Sequence, residues 1–276
     1  MKLALSTGSL YTYGVDRVFA LAKEVGFDGV EVLIDPRWDT RHSHYLNSLQ
    51  ARYDLPILSV HSPFTRKVDG WEEDEVERVK RSVVLAEAVG AQTLVVHLPL
   101  RFVEILMKGL FIGVGLYLPL GGQLGYRRWL LQELTEFQAS TAVTVAVENM
   151  PVKRFLGLQI QGYHLNDFHY LERFPYLTLD TTHLATRGLD ILDAYQRLAD
   201  RVVHVHLSNY NGYEHRLLND GHLPLAQLLH RLAEDSFAGV VTLEFNPHTM
   251  EAKDERKVRE NLERALAFCQ RCVAPG

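Results

Sequence analysis

Eight short runs rich in Val, Leu and Ile recur along the 276 residues and alternate with stretches that have the apolar periodicity of amphipathic helices. This alternation is typical of βα units, which build a parallel sheet whose strands are buried on both faces. The predicted strands are Lys2–Ser6, Gly29–Ile34, Ile57–His61, Thr93–His97, Ala142–Glu148, Tyr176–Asp180, Val202–His206 and Val240–Glu244. Such a sheet can stay open and doubly wound or can close into an eight-stranded barrel.

The intervening stretches supply the helices. Apolar residues at helical spacing predict Asp16–Val25, Glu73–Val89, Leu189–Leu198, Leu223–Ala233 and Glu251–Val273. No linker or low-complexity tract divides them, so we predict one domain over residues 1–276, with an apolar insertion at about 98–124 after the fourth strand. The first strand lacks a following glycine-rich phosphate turn, which favours a closed (β/α)8 TIM barrel, a single α/β domain, over the open sheet.

The ends of the strands support the barrel as well. Six strands end on a residue that can bind a metal: His61, His97, Glu148, Asp180, His206 and Glu244. The last four are spaced by 32, 26 and 38 residues, close to the roughly 31 residues of one βα unit in a 250-residue barrel. In a barrel these positions converge at the C-terminal mouth.

Three carboxylates at one mouth repel one another, and burying each without a partner costs several kcal/mol. A divalent cation removes that repulsion. Glu148, Asp180, His206 and Glu244 form a mainly hard-oxygen set, which predicts one divalent metal ion, with Mn²⁺ the best match and Mg²⁺, Co²⁺ or Zn²⁺ as alternatives.

Structural explanations exist for some of these residues. His61 and His97 can be core histidines with satisfied hydrogen bonds, and Asp180 can cap the segment that follows it. Side chains alternate in direction along a strand, so the residue two positions before each strand end also points into the barrel. The polar residues there can orient ligands or simply fill the interior, and they are Ser59, Thr178, His204 and Thr242.

Composition limits the partners. The net charge of −5 lacks the basic excess of a nucleic-acid-binding surface. Cys269 and Cys272 are too few for a disulfide framework, which favours a reduced, cytoplasmic protein. The apolar run from Phe102 to Leu120 contains two charges and three glycines, so we predict a hydrophobic loop or short helix and no membrane span. We expect it to act as a lid or as the interface of a homo-oligomer, with an enlarged core packing as the alternative.

Strand by strand, nearly the whole chain resembles the xylose isomerase-like TIM barrel superfamily, which includes sugar isomerases, ketose 3-epimerases, inosose dehydratases and endonuclease IV. The segments that resemble it are Val60-His61-Ser62-Pro63, Val95-Val96-His97, Val147-Glu148-Asn149, Leu179-Asp180-Thr181-Thr182-His183, His204-Val205-His206-Leu207 and Leu243-Glu244. These motifs are specific for the superfamily and poor at choosing a member.

The resemblance to ketose 3-epimerases implies that Glu148, Asp180, His206 and Glu244 bind one metal. It also implies that the two glutamates are the acid/base pair and that His183 contacts the sugar. Two positions depart from that pattern: Arg154 replaces a substrate-binding glutamate, and Gly212 replaces an arginine. Arg154 therefore predicts an anionic substrate, such as a sugar phosphate or a sugar acid, in place of a free ketohexose.

Endonuclease IV is similar at the same four ligands and, in addition, at His61, His97, His183 and His215. Its further zinc-binding aspartate falls on Tyr213 here, so the resemblance implies an incomplete third zinc site.

We therefore predict a divalent-metal-dependent isomerase or epimerase that moves a proton through an enediolate. Its substrate is a small sugar, sugar phosphate or polyol-derived ketone, positioned by His61, His97, His183, Arg154 and His215. The alternatives are a zinc-dependent, endonuclease IV-like phosphodiesterase acting on DNA and a catalytically silent barrel that binds a metal and a ligand.

Overall fold

The Val- and Leu-rich runs form strands that close into a parallel barrel. The computed structural model describes residues 1–65, 67–71, 74–108, 113–119, 123–155 and 158–273, and for 102–108, 113–119 and 154–155 it describes the backbone. We number the barrel strands β1 Lys2–Ser6, β2 Gly29–Leu33, β3 Ile57–His61, β4 Thr93–Val96, β5 Thr144–Glu148, β6 Leu177–Asp180, β7 Val202–Leu207 and β8 Val240–Leu243.

Every barrel strand pairs in parallel with the strands before and after it, and β1 pairs with β8, which closes the barrel. The predicted (β/α)8 TIM barrel is therefore confirmed. In the register of β6 and β7, Asp180 lies beside His206, and in that of β7 and β8, His206 lies beside Thr242. Asp180 and His206 therefore lie at the same level of the barrel, and Glu244, two residues after Thr242, lies nearer its carboxyl end.

Helices surround the barrel. They are α1 Val15–Val25, α2 Ser43–Tyr53, α3 Glu75–Val89, α4 Gln123–Gln132, α5 Leu134–Ala139, α6 Phe168–Leu171, α7 Thr181–Thr186, α8 Ile191–Leu198, α9 Leu225–Glu234 and α10 Glu255–Val273. Short 3₁₀ turns lie at Thr7–Leu10 and Trp38–Thr40. None of the helices among the described residues has the length and apolar character needed to cross a membrane.

Local chemistry fixes where the helices begin and end. The Asp74 carboxylate accepts backbone N–H groups at the start of α3, and Asp190 does the same for α8. At the C-terminal ends of α1 and α3, Gly26 and Gly90 adopt left-handed backbone conformations that a side chain would strain. Asp74 and Asp190 thus end loops that come from the carboxyl end of the barrel, whereas Gly26 and Gly90 begin the loops that lead back to its amino-terminal end.

The apolar insertion differs from the prediction. Phe102–Lys108 and Gly113–Pro119 are paired antiparallel strands, so the expected loop or short helix is wrong. Pairing lets each strand satisfy its backbone N–H and C=O groups on the other. Two β-rich halves separated by a segment that contains glycine indicate a hairpin. The continuous apolar character of the run obscured this signal. The proposed lid or interface role stays a prediction, and residues 109–112 and 120–122 lie outside the described residues.

Candidate metal centre

The six strand-end residues lie at one end of the barrel. His61, Glu148 and Asp180 are the last residues of β3, β5 and β6, and His206 is the penultimate residue of β7. His97 and Glu244 follow β4 and β8 by one residue. Closure of the sheet therefore turns six positions spread over most of the chain into one cluster.

Four of these residues converge most closely. Ligand atoms of Glu148, Asp180, His206 and Glu244 all lie within 4.8 Å of one another. The distances from His206 Nδ1 are 2.9 Å to Glu148 Oε1, 3.1 Å to Glu244 Oε2 and 3.8 Å to Asp180 Oδ2. Three of the residues are buried, while the Glu244 side chain keeps 19% of its surface exposed. Glu244 thus lies on the side of the cluster that faces solvent.

Asp180 divides its two oxygens between two tasks. Oδ1 accepts the backbone N–H of His183 at 2.7 Å and the Thr182 hydroxyl at 3.0 Å, so it caps α7. Oδ2 is buried and has no hydrogen-bond partner. The capping role that the sequence suggested therefore accounts for one oxygen, and the other remains directed at the cluster.

Glu148 is the most crowded of the carboxylates. His61 Nε2 and His97 Nε2 lie 3.4 and 3.1 Å from its Oε2 atom, which nevertheless has no partner with hydrogen-bond geometry. Burial opposes ionisation of Glu148, but the imidazoles, His206 first among them, hold the pKa of this carboxyl well below its usual range. Glu148 is therefore an anion at neutral pH.

His61 and His97 differ in how they are held. His61 is buried, and its Nδ1 atom hydrogen-bonds the Ser62 carbonyl oxygen at 2.7 Å. The His97 side chain is 25% exposed and stacks against the exposed ring of Phe64. Both imidazoles contact Glu148, so His61 and His97 line the site.

The opposite edge of the cluster contains His183 and His215. His183 Nδ1 lies 2.9 Å from the Asn149 carbonyl oxygen, and its Nε2 atom lies 3.8 Å from Glu214. The rings of His183 and His215 meet edge to face at 5.4 Å. These residues border the mouth, where they can contact a bound molecule.

Arg154 belongs to a short antiparallel pair, Lys153–Phe155 with Leu158–Ile160, but its side chain lies outside the description. Tyr213 is 76% exposed. The substrate-binding role predicted for Arg154 remains a prediction.

Sequence reasoning missed one buried acid. Glu31 lies in the middle of β2 between Val30 and Val32, and its carboxylate contacts His204 and His206. A glutamate inside a valine-rich strand was the available signal, because that environment does not accept an unpaired charge. Of the four polar residues predicted two positions before the strand ends, three join this network: Ser59, His204 and Thr242. Thr178 Oγ1 is buried without a partner.

The donors present suit a divalent cation. Three carboxylates and one imidazole nitrogen converge, and the buried Asp180 Oδ2 atom has no hydrogen-bond partner. A cation would satisfy that oxygen and offset the repulsion among the three acids. Two neighbouring groups also bring ligand atoms within 4.8 Å of one another: His61 with His97 and Glu148, and Asp180 with His183 and His215.

Comparisons with known proteins agree with the fold. Residues 19–272 match the family model described as a xylose isomerase-like TIM barrel. An uncharacterized protein of Mycobacterium leprae is 30% identical, over 98% of this chain and 99% of its own length. A D-tagatose 3-epimerase-like protein superposes with a TM-score of 0.66 and 22% identity, covering 99% of this chain and 100% of its own. A 3-keto-D-glucoside 4-epimerase from E. coli gives a TM-score of 0.69 and 18% identity over the same shares.

Proposed function

Because this chain belongs to the xylose isomerase-like TIM barrel family, we propose that it is a divalent-metal-dependent isomerase or epimerase of a small sugar, sugar phosphate or polyol-derived ketone. The observation that carries the proposal is that carboxylate oxygens of Glu148 and Glu244 lie 2.9 and 3.1 Å from the same atom, His206 Nδ1. Asp180 Oδ2, which has no hydrogen-bond partner, faces the same atom. Sugar epimerases among the structural neighbours support the substrate class.

In this proposal Glu148, Asp180, His206 and Glu244 hold the metal, with Mn²⁺ as the best match to their chemistry. A divalent cation in such a site supplies Lewis-acid polarisation of a substrate carbonyl oxygen. Asp180 contributes through Oδ2, because Oδ1 is engaged at the start of α7. The remaining chemistry belongs to the side chains around it.

Glu148 and Glu244 come from β5 and β8, on either side of the β6 and β7 residues in the barrel order. Each carboxylate can therefore approach one face of a carbon atom held between them. One glutamate takes the proton from the carbon next to the carbonyl group, and the other returns a proton to it. The more exposed Glu244 meets the incoming substrate, while the buried Glu148 is oriented by its imidazole neighbours.

Substrate hydroxyl groups would meet the edge of the cluster. His183 Nε2 faces this edge with Glu214 at 3.8 Å, and the partly exposed His97 lies on the other side. We assign His61, His97, His183, His215 and Arg154 to substrate positioning. An anionic substituent on the substrate is the expected partner of Arg154.

A metal-dependent phosphodiesterase is the second candidate. The two additional ligand groups, around His97 and around His215, favour it because they can hold further cations. The exposed Tyr213 in place of an acidic ligand and the net charge of −5 weigh against it. A catalytically silent barrel that binds a metal and a ligand would keep the same carboxylates, so turnover of a substrate is the observation that separates it from an enzyme.

Metal content and turnover test the proposal together. Protein purified without chelator or affinity-tag metal is analysed for metal stoichiometry and then assayed on ketoses, inososes, sugar phosphates and abasic DNA. About one Mn²⁺, Co²⁺ or Mg²⁺ per chain, with turnover of a carbonyl sugar, is the expected result. Two or three zinc ions with DNA cleavage would replace it by the phosphodiesterase. Failure to take up any of these metals would overturn the metal-dependent assignment.

A further inference from the structure

Glu31 is a buried acid in a strand otherwise made of apolar residues. It lies in the middle of β2, has no exposed surface, and is flanked by Val30 and Val32. Its carboxylate meets the imidazole of His206 on β7, which is 175 residues away in the sequence and separated from β2 by two strands of the barrel. The contact therefore crosses the barrel interior beneath the candidate metal centre.

Both oxygens of Glu31 are engaged. Oε1 lies 3.1 Å from Nε2 of His206, and Oε2 accepts the Ser59 hydroxyl at 2.8 Å. Nε2 of His204 lies 3.1 Å from the same Oε2 and 3.0 Å from Thr242 Oγ1. With contacts on both oxygens, the carboxylate is held in one orientation.

This arrangement separates the two nitrogens of His206. Nε2 faces Glu31, whereas Nδ1 faces Glu148, Asp180 and Glu244. A neutral imidazole has one N–H and one lone pair, and the hydrogen bond made by one nitrogen decides which of them coordinates a metal. A carboxylate is only an acceptor when ionised, so it selects the N–H at Nε2 and leaves the lone pair at Nδ1.

Glu31, His204 and His206 also bring ligand atoms within 4.8 Å of one another, which raises the alternative that they hold a metal themselves. Two observations oppose it. All three are fully buried, and both Glu31 oxygens already have partners, unlike Asp180 Oδ2. His206 has a single lone pair when neutral, and Nδ1 is the nitrogen that faces the larger ligand set.

We propose that Glu31 is a positioning residue that fixes the Nε2–H tautomer and the ring orientation of His206, so that Nδ1 is presented to a divalent cation. The inference rests on the proposed function, because it assigns a task to one of its four ligands. Ser59, His204 and Thr242 hold Glu31 in place. These side chains thus form a buried hydrogen-bond network in the barrel interior that orients the His206 ring.

Nitrogen NMR of the Zn²⁺-loaded wild-type protein, labelled with ¹⁵N at histidine, tests the tautomer directly. We expect the His206 signals of a ring that is protonated at Nε2 and metal-bound at Nδ1. This measurement needs no variant, so a loss of folding cannot obscure it. A ring bound through Nε2 and protonated at Nδ1 would overturn the inference.

Co²⁺ affinity, measured by calorimetry with the visible absorption of bound Co²⁺ as a second readout, tests the energetic role. Glu31→Gln replaces the carboxylate by a neutral amide of the same shape. Glu31→Asp keeps the charge, but its side chain is shorter by one methylene group. We expect both variants to bind Co²⁺ about 10–100-fold more weakly, with an altered Co²⁺ spectrum. Circular dichroism and the melting temperature of the metal-free proteins confirm that each variant is folded.

Thr178→Val is the matched control. It removes a buried hydroxyl group of the barrel interior that has no hydrogen-bond partner and lies outside the Glu31 network, so its Co²⁺ affinity should stay within about threefold of the wild type. An equal loss in Thr178→Val and Glu31→Gln, or unchanged affinity in both Glu31 variants, would refute the positioning role while leaving the proposed function intact. A wild-type protein that binds no Co²⁺, Mn²⁺ or Zn²⁺ would instead refute the proposed function, and the positioning role with it.

Discussion

One oxygen of Asp180 accepts the backbone N–H of His183 at 2.7 Å, and the other oxygen is buried without a partner. The same side chain therefore starts a helix and faces the candidate metal centre. The two tasks can be separated by substitution, because a helix cap needs one acceptor oxygen whereas a cation prefers a full negative charge.

Asp180→Asn and Asp180→Ala should differ in stability and agree in metal binding. Asparagine can keep the cap through its amide oxygen, while alanine loses it, so metal-free Asp180→Ala should be less stable than Asp180→Asn by about 1 kcal/mol. That difference corresponds to a melting temperature lower by about 2–4 °C. Both variants should bind Mn²⁺ more weakly than the wild type, as measured by calorimetry. Full Mn²⁺ affinity in Asp180→Ala would exclude Oδ2 as a ligand.

Metal binding should release a proton from His206. Burial opposes the imidazolium, but the carboxylates of Glu31, Glu244 and Glu148 raise the pKa of His206 well above its usual range in the metal-free protein. The ring is therefore protonated at neutral pH, and Nδ1 must lose its proton to bind a metal. Glu148 contributes no proton, because its pKa is lowered and it is already ionised.

The direction in which Mn²⁺ affinity changes with pH follows from the protonation states of His206 and Glu148 in the metal-free protein. Below the raised pKa of His206, the apparent Mn²⁺ affinity should rise by about tenfold per pH unit, since one proton leaves for each metal bound. Calorimetry in two buffers of different ionisation enthalpy counts the proton directly. Affinity that is independent of pH between 6 and 8 would show that His206 is neutral before the metal binds.

The barrel could be predicted from the sequence because strands buried on both faces leave continuous apolar runs. All eight predicted strands are present, and their ends differ from the prediction by at most two residues. The helix Ser43–Tyr53 was missed because only Leu46 and Leu49 of its residues are buried, which leaves little periodicity to detect. Its polar composition resembles that of a loop.

The candidate site could be predicted only where its residues mark strand ends. Glu148, Asp180, His206 and Glu244 share that position, so their convergence follows from closure of the barrel. Glu31 does not end a strand, and its contact with His206 depends on how far a side chain reaches across the interior. No local pattern in the sequence encodes that distance.

Gly239 allows the start of β8 to approach β7 closely, because it has no side chain. A Cβ atom at this position would lie 2.1 Å from the backbone oxygen of Val203, which is too close for any side chain. Gly239→Ala should therefore force the start of β8 away from β7 and destabilise the fold by about 1–3 kcal/mol. Because these strands carry Glu244 and His206, metal affinity should fall as well.

Gly125→Ala is the matched control for this prediction. Gly125 lies exposed in α4, with no atom within 4 Å of the position that a Cβ would occupy. Alanine in a helix interior is favoured over glycine by up to about 1 kcal/mol, so this variant should keep or raise the melting temperature. Equal melting temperatures for the two variants would argue against a close approach at Gly239.

Glu244→Gln should lose turnover while keeping the fold. The amide occupies the same volume and cannot act as an acid or a base at neutral pH, so we expect kcat to fall by about 10²–10⁴-fold on the substrate that the wild type converts. The exposed Glu263 provides a control, and Glu263→Gln should have wild-type kcat.

Exchange of substrate hydrogen with solvent deuterium then identifies which proton transfer Glu244→Gln has lost. If Glu148 and Glu244 serve opposite faces of one carbon, Glu244→Gln should still exchange hydrogen from one epimer but form little of the other. Wild-type conversion of both epimers by Glu244→Gln would show that the acid/base pair is misassigned.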